Sequence, residues 1–254
     1  MNADATQAEQ AVKETGWYQP RVAMRAMRKL MENGEDTAQV FRIIRAMSGP
    51  ARKKHFKRFI KTPVGRRVMA TRQSLADRLN DRDALGAMPD GSLGRAYLAF
   101  VERENLSADG LAEASVEGGR LAGTEDQKLY SDRTRDMHDL WHVTSGYGRD
   151  GLGELSLLAF SYAQLGNLGV AMIIFFGARS AFRETGDRRI WTAIWEGYRN
   201  GRRATRWAEE DWEGLLEAPL DDVRKQIGAE RPDVYRKVFS DFAAAAQQPT
   251  QVTA

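Results

Sequence analysis

The chain has 254 residues, of which 42% are apolar and 29% charged; it has no cysteine and a formal net charge of +3. That balance predicts a soluble globular protein with a substantial buried core, and it excludes disulfides and thiolate metal ligands. The first residues carry neither an apolar stretch nor an Arg-rich amphipathic pattern, so no secretory or mitochondrial targeting segment is expected, and the lack of Cys suits a reducing cytoplasm.

Residues 1–16 read as a polar tail, 17–242 as one helical domain and 243–254 as a flexible tail. Pro20 stands where a helix begins, and Val22, Met24, Met27, Leu30 and Met31 recur at helical spacing until Gly34. A second helix starts near Asp36 or Thr37, carries Val40, Phe41, Ile43, Ile44 and Met47, and stops at Gly49-Pro50. Next comes the short basic and aromatic run from Arg52 to Lys61. Between Arg21 and Arg72 there are fifteen Lys and Arg against three acids. No nucleic-acid signature accompanies that charge, so no nucleic-acid partner is expected. The apolar counterpart supplied by Phe56, Phe59 and Ile60 instead suggests contact with an anionic membrane, with Lys54, Phe56, Lys57 and Phe59 as the membrane-facing candidates.

Thr62-Pro63 opens a helix with Val64, Val68, Met69, Leu75 and Leu79 as core positions, and Pro89-Asp90-Gly91-Ser92 is a turn. Leu93, Tyr97, Phe100 and Val101 mark a short amphipathic helix, followed by broken sequence from Leu106 to Gly123. A helix from about Glu125 to Val143 then carries the chain's most informative motif, His138-Asp139-Leu-Trp-His142. Two imidazoles four residues apart share one face, close enough to hold one metal ion. Four glycines between Gly146 and Gly153 force a turn, and Glu154 opens the next helix, which can fold back to deliver a carboxylate.

Only three histidines occur in the chain and two fall in this motif. Two His and a carboxylate without Cys suit Zn, Fe(II) or Mn, in a site with open positions. Asp139, about 100° round the helix from His138, either ligates or orients an imidazole. Zincins differ, carrying Glu after the first His. Metal phosphohydrolases need more His and Asp ligands than His55 can add. Tyr130 and Thr134 lie on the His138 stripe and are candidate pocket or supporting residues.

From Leu155 to Ala178 there is no charged residue. The length matches a membrane span, yet Ser156, Ser161, Gln164 and the Gly166-Asn167-Leu168-Gly169 break favour a split pair of buried helices beside the metal site, suited to an apolar ligand. Further on, Trp191, Ile194, Trp195 and Tyr198 form the apolar stripe of a helix that turns basic at Arg199, Arg202, Arg203 and Arg206. Short helices follow near Trp212 and Leu220, and a last one spans Arg231 to Phe239. No stretch alternates as a strand. The expected fold is all-α, a multi-helix bundle-like domain with a metal site between two central helices.

The motif His138-Asp139-x-x-His142, eleven residues, Glu154 resembles the signature of the coenzyme Q (ubiquinone) biosynthesis protein 4 family. Gly91-Ser-Leu-Gly-Arg-Ala-Tyr97-x-x-Phe100, Ala163-Gln-Leu-Gly-Asn-Leu-Gly169, Trp212-Glu-x-Leu-Leu-Glu217 and Leu220-Asp-Asp-Val-Arg224 extend the likeness. Asp36-Thr-x-x-Val-Phe41 and Thr62-Pro-x-Gly-Arg-Arg67 are similar to its bacterial branch. The resemblance implies an all-helical fold and one divalent metal held by His138, Asp139, His142 and Glu154. It also implies decarboxylation at ring carbon 1 of a polyprenylated 4-hydroxybenzoate-derived precursor, coupled to hydroxylation there, with His138, His142 and Glu154 in the catalytic centre. The alternative is a non-catalytic prenyl-lipid-binding scaffold that organises the other ubiquinone-biosynthesis proteins. Either role would place the protein peripherally on the inner face of the cytoplasmic membrane; a homodimer is left open.

Overall fold

The computed structural model describes residues 17–34, 36–106, 115 and 123–246; the polar tail at 1–16 and the segment 247–254 lie outside them. Among the described residues every regular element is a helix, and extended pairing is confined to one isolated bridge between Ser92 and Pro219. The first helices are α1 (Pro20–Glu32), α2 (Thr37–Ala46), α3 (Ala51–Phe59), α4 (Pro63–Thr71), α5 (Leu75–Asn80), α6 (Arg82–Gly86) and α7 (Leu93–Arg103). Then come α8 (Glu125–Asp136), α9 (His138–Ser145), α10 (Gly151–Leu165), α11 (Leu168–Thr185) and α12 (Arg189–Arg203). A 3-10 turn (Trp207–Glu209), α13 (Trp212–Leu215), α14 (Leu220–Gln226) and α15 (Asp233–Ala246) follow. The last helix continues past Ala243, where the sequence suggests a tail.

Local chemistry sets most of the helix starts. Asp36, Thr62, Ser92, Thr124, Asp150 and Asn167 each accept a hydrogen bond from a backbone N–H of the first helical turn, satisfying donors that no carbonyl can reach. Two expected helices are interrupted. Arg72, in the left-handed region, ends α4 and separates it from α5. Met137, fully buried, falls between α8 and α9 in the helix expected to run unbroken to Val143.

The centre of the molecule is the pair α10 and α12. Nothing charged interrupts the buried run of Leu155, Leu157, Ala159 and Phe160 on α10. On α12 the residues that meet it are small. A Cβ at Gly197 would overlap the Ser156 carbonyl oxygen, and one at Gly201 would overlap that of Phe160. The two backbones therefore approach more closely than side chains would permit. This corrects the expected apolar stripe of α12. Ile190, Ala193, Ile194, Gly197 and Gly201 face inward, whereas Trp195 is 58% exposed and stacks on Tyr198, with ring centroids 5.1 Å apart.

The uncharged stretch is indeed split, at Gly166-Asn167, into α10 and α11. However, α11 is only half buried, with Phe175 and Leu168 facing outward. No described helix is long and apolar enough to cross a membrane. The opposite face of α11 receives the α1–α2 hairpin, where Ile173 packs with Ala23, Ala26, Met27, Leu30, Ile43 and Ala46.

A further correction concerns α3. Phe59 is fully buried, packed on Tyr130 and Val68 with the Arg133 guanidinium over its ring, and Phe56 leans on the same Tyr130. These aromatics hold α3 against α8 and do not face a membrane. Of the proposed set only Lys54 and Lys57 are exposed.

Candidate metal centre

The glycine-rich turn between α9 and α10 does what its composition predicts. Gly146 ends α9 in the left-handed conformation, Asp150 caps α10, and the chain reverses so that Glu154 in the first turn of α10 returns over α9. The Nε2 atoms of His138 and His142 lie 3.2 Å apart. Glu154 reaches both: Oε1 is 3.4 Å from His142 Nε2 and Oε2 is 3.7 Å from His138 Nε2. His138, Asp139 and His142 each offer one ligand atom, all within 4.8 Å of one another.

The buried His142 ring is fixed on two sides. Its Nδ1 lies 2.9 Å from the Tyr147 carbonyl oxygen, to which it donates, and this leaves the Nε2 lone pair free for a ligand role. Phe100 stacks on its face with centroids 5.7 Å apart. Asn200 of α12 in turn donates to the Tyr147 hydroxyl at 3.2 Å, linking the ring's orientation to the central helix pair.

Electrostatics agree with that geometry. Burial pulls the His138 imidazole towards its neutral form, but hydrogen bonding to Glu154 and its charge outweigh this and hold the pKa above the ordinary value. Burial likewise pushes Glu154 up, yet the two imidazoles outweigh it and carry its carboxyl far below the usual range. No hydrogen bond to the Asp139 carboxylate is found among the described residues, although the residue is only 9% exposed. The two imidazoles share Glu154 on one side and form a close group with Asp139 on the other, a donor set that suits a positive charge between them, either a proton or a metal ion. Donors 3.2 Å apart, each about 2.1 Å from an ion, subtend roughly 100° there, which fits a tetrahedral or octahedral metal.

The site opens into a cavity of ≈ 1620 Å³, larger than the roughly 300–1,000 Å³ usual for small-molecule pockets. Its lining includes His138, Asp139, Glu154 and Arg149, the candidates Tyr130 and Thr134, and the apolar Met27, Leu30, Val40, Ile44, Leu158 and Ile173. Thr134 spends its hydroxyl on the Tyr130 carbonyl at 2.8 Å, so it presents mainly its methyl group.

Two residues that sequence reasoning missed shape the turn. The Tyr235 hydroxyl of α15 donates to Asp150 and accepts from Gly148 N–H at 3.0 Å. Between these anchors stands Arg149, its Nε 3.6 Å from Glu154 Oε1. Tyr235 is 85 positions from Asp150, and no local pattern marks it; Arg149 could have been noticed as the one cation inside the glycine-rich turn. Tyr235→Phe should cost about 1–2 kcal/mol, because Gly148 N–H loses its acceptor and Asp150 a donor. Urea unfolding would measure it, and an unchanged midpoint would contradict the anchoring role.

Comparison with known proteins settles the family. The profile of "Coenzyme Q (ubiquinone) biosynthesis protein Coq4" matches residues 21–233. The chain belongs to the Coq4 family. Among curated relatives, "Ubiquinone biosynthesis protein coq4, mitochondrial" of Pyrenophora tritici-repentis is 29% identical over 204 residues, covering 78% of this chain and 64% of its own length. The Yarrowia lipolytica protein of that name is 28% identical over 214 residues, covering 83% and 75%. The chain thus spans about two thirds of these relatives. A crystal structure of a Nostoc punctiforme protein assigned to ubiquinone biosynthesis shares the fold, with a TM-score of 0.64 at 21% identity over 84% of this chain and 100% of that one.

Proposed function

We propose that this Coq4 family member acts in ubiquinone biosynthesis as a metal-dependent enzyme. In this reading it removes the carboxylate at ring carbon 1 of a polyprenylated 4-hydroxybenzoate-derived precursor as oxygen enters there. The observation that carries the reading is the convergence of His138, His142 and Glu154, with the Asp139 carboxylate beside His138 and His142, at a large cavity whose lining also includes Met27, Leu30, Val40, Ile44, Leu158 and Ile173. A scaffold that only held a prenyl tail would need apolar walls but not a His138-Asp139-His142 cluster with Glu154 set against both imidazoles.

His138, Asp139, His142 and Glu154 would hold the ion, and a divalent metal there supplies Lewis-acid chemistry, or redox chemistry if it is iron. The protein's own groups do the rest. The Tyr147 carbonyl fixes the His142 tautomer, and Phe100 shields its ring from water. The cavity walls at Leu158, Val170 and Ile173 accept a prenyl chain by burying apolar surface. Peripheral contact with the inner face of the cytoplasmic membrane would let such a lipid enter. On α3 that contact rests on Lys53, Lys54 and Lys57, by charge, since its aromatics are inward. The other ubiquinone-biosynthesis proteins are the expected partners.

The test compares quinone lipids, by mass spectrometry, in host cells carrying the intact protein or Glu154→Ala at equal abundance. A polyprenylated precursor that keeps its ring carboxylate should accumulate while ubiquinone falls. If all late precursors fall together instead, the protein is the non-catalytic organiser; an unchanged lipid profile would remove the assignment altogether.

A further inference from the structure

The candidate ligands account for four charged or titratable side chains at the cavity, and a fifth has no assigned task. Four arginines line the cavity: Arg45, Arg52, Arg135 and Arg149. Three are engaged elsewhere. Arg45 donates to Ser115 at 2.8 Å, Arg52 to Ser131 at 3.1 Å, and Arg135 is held by Asp132 at 2.9 Å and by Asp136. Arg149 differs. Among the described residues its guanidinium makes no hydrogen bond, and its one ion pair is the 3.6 Å approach to Glu154 Oε1. Its side chain is 38% exposed, so its donors remain available to a ligand.

The backbone that carries it is not loose. The Tyr235 hydroxyl accepts from Gly148 N–H on one side of Arg149 and donates to Asp150 on the other, and Asp150 also accepts from Leu152 and Gly153 N–H at 3.2 and 3.0 Å. A guanidinium on a turn pinned at both neighbouring residues is preorganised for recognition.

We infer that Arg149 is the residue that recognises the carboxylate of the cavity's ligand, selecting a prenylated aromatic acid over the same molecule without its acid group. The inference rests on the reading given under Proposed function and names the group that sets its substrate class. A guanidinium meets a carboxylate through two parallel N–H···O bonds, a geometry that lysine does not reproduce. The contact also has a kinetic signature. It holds the intact carboxylate at least as well as one that is dispersing its charge into departing carbon dioxide, so it contributes to binding and not to the chemical step.

The experiment measures binding of two probes to the full-length purified protein by calorimetry: 3-geranyl-4-hydroxybenzoate and 2-geranylphenol, which lacks the carboxylate. For Arg149→Met the acid should bind about 10- to 100-fold more weakly, with the phenol unchanged. Arg149→Lys should fall between the two proteins, and thermal unfolding should show all three equally folded. In turnover, Arg149→Met should raise KM and leave kcat unchanged or higher. Equal weakening of both probes, or none for the acid, would overturn the role of Arg149. If the intact protein binds both probes equally, the Arg149 inference fails while the cavity reading stands; if it binds neither, the reading under Proposed function fails and takes this one with it.

Discussion

Glu154→Gln should lower metal affinity by more than about 100-fold, beyond the 10- to 100-fold typical of groups that only support a ligand. The argument is one of charge and shape. Glutamine keeps the volume and reach of the side chain, so the packing of α10 is undisturbed, but it replaces an anion with a neutral amide between two imidazoles. It also offers an N–H₂ group where a donor atom must present a lone pair. Glu154 keeps about a third of its side chain exposed, so helix content by circular dichroism should not change. Metal content of the two proteins, measured by plasma mass spectrometry after dialysis against buffered Zn and, anaerobically, buffered Fe(II), provides the check. Equal loading would remove Glu154 from the ligand set and leave His138, Asp139 and His142 as the remaining cluster.

Gly197→Ala is expected to lower the thermal midpoint by about 6–12 °C. The added methyl group would overlap the Ser156 carbonyl oxygen, a backbone atom that no rotamer change can move aside. Relief requires α10 and α12 to separate, at a cost of about 3 kcal/mol, the upper part of the range for overpacked cores, and each kcal/mol shifts the midpoint of a chain this size by about 2–4 °C. Gly86→Ala is the matched control, because a Cβ there would meet only Leu98 at an ordinary 3.7 Å. If both substitutions shift the midpoint equally, the close approach of the two backbones is not what holds the central pair. The same strain should reach Asn200, three residues further along α12, which donates to the Tyr147 hydroxyl, so weaker metal retention should accompany the lower midpoint.

What was legible in the sequence was whatever depends on neighbours within a turn or two. The spacing of His138 and His142 fixes their shared face, the glycines between Gly146 and Gly153 dictate a reversal, and Asp36 and Thr62 announce helix starts by their own hydrogen-bonding chemistry, whereas the Asp150 cap that starts α10 ahead of Glu154 went unread. Errors arose where size was taken as a guide to burial. Trp191 and Trp195 looked like the core face of α12, whereas Ala193, Gly197 and Gly201 carry the contact because small residues let backbones touch. On α3 the surrounding lysines and arginines suggested an outward surface, yet Phe59 found Tyr130 on a helix some seventy residues away. Arg149 and Tyr235 owe their importance to proximity across the fold, which periodicity does not encode.

The dependence of the turn on Tyr235 also orders events during synthesis. Asp150 leaves the ribosome 85 residues ahead of its partner, and at about 5–20 residues per second that is a delay of roughly 4–17 s. Through that interval the histidine pair exists without the clasp that shapes the loop leading to Glu154. The turn that delivers Glu154 therefore takes its final shape only once the C-terminal helix is made, and the geometry of the His138–Glu154 cluster is a property of the completed chain.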